Sequence, residues 1–343
     1  YADLHAHMMA LPITVLALTA AVSWALPAGG DWRRELWRPG RLLALFLGAL
    51  AIGALWPANT WDYPTYGLVA AGAIAVGHWR RFGRPSLAWV VAVGLQGAAL
   101  LALSFALFWP HHATYVQPYA DFSMWRSVKT PLSAYLVIHG VFLFAAVSWA
   151  IVEIAREVAR RETRQGVLAR LGVAALAFGG VLGALWFWST RALGPDSPYP
   201  PSPWTPAVGA GVLALGVTVL SRRSAGSGER FMAWLLVLGA ALTMFVEYVV
   251  LSGDIGRMNT VFKFYIQVWV LWSVLAGASV AALAPLLRRT SAGRAWQSAL
   301  VLLVGCALVY PVTAAPAKIR DRFPRQDPNV TTEDYEANWK PGL

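Results

Sequence analysis

The chain has 343 residues, of which 57% are hydrophobic and 13% charged, and its net charge is +11. A soluble domain carries about 25% charged residues, so this composition excludes an ordinary water-soluble globule and makes lipid the solvent of most of the surface. The arginines fall in short loops between apolar blocks, which reads as membrane orientation rather than a nucleic-acid surface, and with Cys306 as the only cysteine no intramolecular disulfide or cysteine-based metal cluster can form.

Taken in chain order, the apolar blocks predict spans near 8–27, 41–57, 64–79, 86–109, 131–154, 168–190, 205–221, 231–252, 259–285 and 296–313. Each is long enough to cross a hydrocarbon core of about 30 Å as a helix. The predicted fold class is therefore all-α, a polytopic transmembrane helical bundle over residues 1–313, with a proline-containing extended tail over 314–343. Short cytoplasmic loops retain Lys and Arg more than exported ones do. One set of alternate loops holds 18 of the 28 basic residues, whereas the other holds Arg126, Lys129, Arg191, Arg257 and Lys263, with five more in the tail. The arginine-rich set is predicted to be cytoplasmic, which places residues 1–7 and the tail outside a multi-pass plasma-membrane protein. The segment 153–170, dense in Arg and Glu, is predicted to extend helices into the cytoplasm with a solvated or headgroup-facing surface. The chain opens at Tyr1 without a signal-peptide pattern, and the expectation is that it continues a longer protein.

The polar motifs fall in the outer loops. Asp3, His5 and His7 precede the first span; an His-x-His pair in extended backbone turns both rings to one side, a usable arrangement for a divalent metal ion. The alternative is a polar helix start in the headgroup layer. The next outer loop packs Asn59, Trp61, Asp62, Tyr63 and Tyr66 together. Helix capping and an aromatic belt explain these residues singly, and together they suit stacking and hydrogen-bonding a sugar. The third outer loop carries His111, His112, Tyr115, Asp121 and Arg126, and His139 lies about two turns into the helix after it. The last motif runs from Glu247 to Gln267. Glu247 lies inside an apolar span, where a charge costs about 3 kcal/mol, so it must face the bundle or a wet cavity. In a helix starting near Met258, Asn259, Lys263 and Gln267 form one polar stripe with Arg257 at its mouth. A forked guanidinium beside a mobile ammonium suits a phosphate at the membrane surface; snorkelling to headgroups is the alternative.

The strings Asp3-Leu4-His5-Ala6-His7, Asn59-Thr60-Trp61-Asp62-Tyr63-Pro64, Thr130-Pro131 through His139-Gly140, and Arg257-Met258-Asn259-Thr260-Val261-Phe262-Lys263-Phe264-Tyr265 resemble the YYY membrane protein family (Chlor_Arch_YYY domain). That family is similar to the GT-C superfamily of polytopic glycosyltransferases. The resemblance implies a GT-C-like fold and a polyprenyl-phosphate sugar donor used at the extracytoplasmic face, with an acceptor that the sequence does not identify. No Tyr-Tyr-Tyr occurs here, and the resemblance implies that this triplet and its acidic loop lie upstream of Tyr1.

On this reading Asp62 and Asp254 are the candidate catalytic carboxylates, acting on sugar or metal. Arg257, Lys263, Asn259 and Gln267 bind the lipid phosphate, Asn59, Trp61, Tyr63 and Tyr66 line the sugar pocket, and Asp3, His5 and His7 hold the metal. The partners are the bilayer, the lipid-linked donor and the acceptor, with no nucleic acid. The rival is a transporter in which Glu247, His139 and Lys263 form an intramembrane ion or proton path.

Overall fold

The computed structural model describes residues 6–26, 39–83, 85–115, 121–159, 164–191, 193, 202–288 and 290–322. Ten long helices run through them: α1 (Ala6–Ala25), α2 (Pro39–Ala58), α3 (Asp62–Phe82), α4 (Leu87–Leu107), α6 (Leu132–Ala159), α7 (Arg164–Thr190), α8 (Trp204–Leu220), α9 (Ser227–Tyr248), α10 (Met258–Leu287) and α11 (Ser291–Arg322). The short α5 (Trp109–Thr114) lies between α4 and α6. Every predicted span falls on one of the ten. Eight are long and apolar enough to cross a membrane; α8 has only 17 residues, and α3 ends on the polar His78, Arg80 and Arg81. The fold is the expected membrane helical bundle.

Helix α9 is its centre, packed on α3, α8 and α10, with buried residues around its whole circumference. Lipid removes the hydrophobic drive between helices, so close backbone approach at small residues does much of the work. A Cβ on Gly239 would stand 2.1 Å from Trp272 Nε1, and one on Gly72 would stand 2.0 Å from Trp234 Nε1. Each glycine is thus the floor on which an indole lies. Gly239→Ala is expected to destabilise the bundle by about 1–3 kcal/mol through overpacking, read as a lower thermal midpoint in detergent. An unchanged midpoint would mean that Trp272 has a second place to go.

The alternating helices bring the Asp62, Glu247 and Arg257 motifs to one end of the bundle, called here the motif end, and leave Arg41, Arg156, Arg222 and Arg230 at the other. Two features were not anticipated at the motif end. Strand β1 (Phe122–Met124) pairs antiparallel with β2 (Val249–Leu251), in the register Phe122↔Leu251, Ser123↔Val250 and Met124↔Val249. Bonds from Trp125 N to Tyr248 O and from Ser252 N to Asp121 O, both 2.9 Å, extend this ladder. It fastens the loop before α6 to the α9–α10 connection. The second is Asp254, whose carboxylate accepts from Asn259 N at 3.2 Å, Thr260 N at 2.8 Å and Thr260 Oγ1 at 2.7 Å. This satisfies the bare N–H groups at the head of α10. The turn is possible because Gly253 and Gly256 adopt φ of 82° and 60°.

Two expectations change at the arginine-rich end and the C-terminus. Glu153 and Glu157, predicted to be solvated, are 4% and 3% exposed, because Arg222 from the α8–α9 loop covers them, with Nη1 2.6 Å from Glu153 Oε2. The tail expected to be extended from 314 is helical as far as Arg322: α11 continues through Pro311 and Pro316, over a stretch rich in alanine, the best helix former.

Candidate functional site

The α2–α3 connection is built from its own turn chemistry. Asn59 N bonds Leu55 O at 2.7 Å and closes α2, and Asp62 N bonds Asn59 O at 2.9 Å and turns the chain into α3. Asp62 is thereby carried inward and is 3% exposed. Burial pushes its carboxyl up to about 6, against the hydrogen bonds from the side chains of Asn59 and Gln267 that favour its charge. Gln267, arriving from α10, also donates to Trp61 O at 2.9 Å and accepts from Thr65 Oγ1. Four predicted residues, Asn59, Trp61, Asp62 and Gln267, therefore meet in one network, with Thr65 added.

Of the other two residues assigned to the sugar pocket, Tyr63 faces away from this network, whereas Tyr66, four residues after Asp62 on α3, has Asp62 as an electrostatic neighbour. The Tyr63 hydroxyl lies 2.9 Å from Ser104 Oγ on α4 and its ring meets Trp56 at 4.8 Å, while Tyr66 is 1% exposed within the core. Successive helical residues are about 100° apart, so Tyr63, next to Asp62, points to another face.

A second network joins α6, α9 and α10. Glu247 is fully buried. Its Oε2 accepts from Thr130 N at 2.8 Å, and its Oε1 accepts from Thr130 Oγ1 at 2.6 Å and lies 2.9 Å from Arg257 Nη1. Arg257 also donates to Val246 O and Thr130 Oγ1, each at 2.9 Å. Lys129, 2% exposed, donates to Glu247 O at 2.7 Å and Trp125 O at 3.0 Å. Burial pushes its ammonium down to about 8, against the opposing pull of Glu247, and Arg257 adds to the lowering. Arg257 thus stands at the predicted mouth of the stripe with its guanidinium already engaged. Lys129 and Thr130, named in the sequence but given no role at the site, show no periodicity as loop residues; the buried Glu247 calling for a partner was the available signal.

Lys263 lies one turn outward from Gln267 on α10, half-buried, with the exposed Asn259 a further turn out. Asp254 is its electrostatic neighbour. Asp254 itself, predicted to act on sugar or metal, is occupied with capping α10. Between the two networks four rings from four elements close a box. Trp61 meets Phe122 at 5.2 Å and Phe264 at 6.2 Å, and Phe245 meets Phe122 at 5.7 Å and Phe264 at 5.2 Å. His139 is fully buried two turns deeper, ringed by Tyr135, Tyr265 and Trp272.

Of the predicted metal ligands, Asp3 and His5 lie outside the described residues. His7 is in the first turn of α1 rather than in extended backbone, and its ring meets the edge of Phe262 at 4.8 Å. Among the described residues no group of three His, Cys, Asp or Glu is arranged to hold a metal.

The family model described as an uncharacterized membrane protein (DUF2298) matches residues 1–272, which takes in both networks. No curated protein and no solved structure matches the chain significantly.

Proposed function

This chain belongs to the DUF2298 family of membrane proteins, and we propose that it is a GT-C-like glycosyltransferase moving a sugar from a polyprenyl-phosphate carrier to an acceptor. The observation that carries this reading is the grouping of charge at the motif end. Lys129 and Arg257 are held with Glu247, and Lys263 stands near Asp254 on the head of α10, beside the separate Asp62 network. The phosphodiester of a lipid-linked donor, and the phosphate monoester it leaves, carry the charge for these cations, with the motif end facing outside as the loop arginines indicate.

In this reading the acceptor hydroxyl attacks the anomeric carbon and gives its proton to Asp62. The bond from that carbon to the phosphate oxygen breaks, and the phosphate leaves into the field of Lys263 and Asn259. Arg257, held by Glu247, sets the head of α10 and adds its charge from behind. Asn59 and Trp61 hold the sugar. No step uses a metal.

The test is binding of a polyprenyl phosphate to purified protein, comparing wild type with Lys263→Ala and with Arg126→Ala, whose guanidinium lies 4.3 Å over Trp188. A charge-assisted bond contributes about 1.5–3 kcal/mol, so Lys263→Ala is expected to weaken binding about tenfold or more while Arg126→Ala does not. Equal affinity in all three proteins would leave Lys263 a snorkelling residue.

A further inference from the structure

Gln267 belongs to the stripe of α10 predicted to bind phosphate, yet its amide is committed elsewhere. The side chain is 1% exposed and meets the start of α3. Its Oε1 accepts from Thr65 Oγ1, and its Nε2 donates to Trp61 O at 2.9 Å. The amide also hydrogen-bonds the Asp62 carboxyl. An ionised carboxylate offers acceptors alone, so the second N–H of Nε2 is the donor there, and both donors and the carbonyl of the amide are used. Thr65 decides which way round the amide lies. With its hydroxyl proton directed at Oε1, only Nε2 is left to face Trp61 O and Asp62.

We propose that Gln267 is the positioning residue of Asp62: its amide, oriented by Thr65, aims the carboxylate and holds it in the ionised form that accepts a proton. The inference rests on the reading of Asp62 as the proton acceptor in sugar transfer. Burial disfavours the charge that a base must carry, and hydrogen bonds to the charged form restore it. For Asp62 those bonds come from Asn59 and Gln267. The cations of the motif end have other partners, since Arg257 is paired with Glu247 and Lys263, one turn outward on α10, answers to Asp254. The titratable neighbour of Asp62 is Tyr66, on its own helix. Gln267 also ties the carboxylate to the helix that carries Lys263, so base and phosphate site are referred to one rigid element.

The experiment is an infrared titration of the purified protein in detergent without substrate, comparing wild type, Gln267→Met and Thr65→Val. In each case the spectrum of the same protein carrying Asp62→Asn is subtracted, which isolates the band of the protonated Asp62 carboxyl. Methionine keeps the length of the side chain and removes the amide. Loss of a hydrogen bond to the charged form is expected to move the Asp62 midpoint up by about one pH unit or more in Gln267→Met. Thr65→Val, which frees the amide to turn its oxygen toward the carboxylate, should move it the same way. An unchanged midpoint in Gln267→Met overturns the proposal, and if that variant does not fold, an unchanged midpoint in Thr65→Val does so. Because no substrate is present, the result is separable from the sugar-transfer reading. Sugar transfer by wild type with no shift in the variants overturns the role of Gln267 alone, whereas a shift in a protein that transfers no sugar keeps Gln267 as the group that ionises Asp62 and removes that reading.

Discussion

Arg222→Ala is expected to destabilise the protein by about 3–5 kcal/mol, the range for removing one partner of a buried ion pair. Arg222 is 2% exposed. Its Nη1 lies 2.6 Å from Glu153 Oε2, its Nε 3.6 Å from Glu157 Oε2, and its Nη2 donates to Ser224 Oγ at 3.3 Å. Removal leaves two carboxylates, 4% and 3% exposed, facing a cavity. Arg156 offers little compensation, because it holds only Glu153, at 2.8 Å, and its side chain is 41% exposed, where screening weakens the pair. Arg222→Lys should recover part of the loss, since it keeps the charge without the fork. Chemical or thermal unfolding in detergent reads the difference. A loss below about 1 kcal/mol, the value of a surface pair, would mean that water reaches Glu153 and Glu157 in the working protein.

This cluster also marks where the sequence becomes hard to read. The apolar blocks specify ten helices because each must satisfy its own backbone in lipid, and the stripe of Asn259, Lys263 and Gln267 follows from helical spacing alone. Partners drawn from distant segments leave no such trace. Glu153 and Glu157 stand one turn apart on α6, and nothing near them foretells that Arg222 will cover both. The same holds for Thr65 and Gln267, which bond across 202 positions, and for the β1–β2 ladder, whose strands have three residues each. Asp254 misleads differently. A carboxylate between two glycines near cationic residues suggests chemistry, yet its position also fits capping the following helix, and its three bonds to Asn259 and Thr260 favour the structural role. Asp62 belongs to the legible part. Its sequence neighbourhood indicated a helix start and a cluster of polar side chains; Asp62 opens α3 and meets Asn59 and Gln267 in one network.

Glu247→Ala should produce a loss of the same size, about 3–5 kcal/mol, for the opposite charge reason. Glu247 is the buried anion that holds two cations in place, with Arg257 Nη1 at 2.9 Å and Lys129 bonded to its backbone carbonyl at 2.7 Å. Without the carboxylate, Arg257 keeps only Val246 O and Thr130 Oγ1, and Lys129 loses the attraction that opposes its burial. Thr130 N, now facing the space left by Oε2, adds a donor without an acceptor. Three helices should loosen together, because the network takes Lys129 and Thr130 from the loop that leads into α6, Glu247 from α9 and Arg257 from the head of α10. Glu247→Gln should fall between wild type and alanine, retaining shape and an acceptor for Thr130 but no charge for Arg257. The decisive measurement is a double-mutant cycle of Glu247→Ala with Arg257→Ala, by unfolding in detergent. Residues in one ion-pair network couple by about 0.5–3 kcal/mol. The double mutant should therefore be distinctly more stable than the sum of the single losses implies, since removing both charges leaves neither buried alone. Strict additivity would mean that Arg257 is not held by Glu247, and would return the guanidinium to the mouth of the polar stripe as a direct ligand for phosphate.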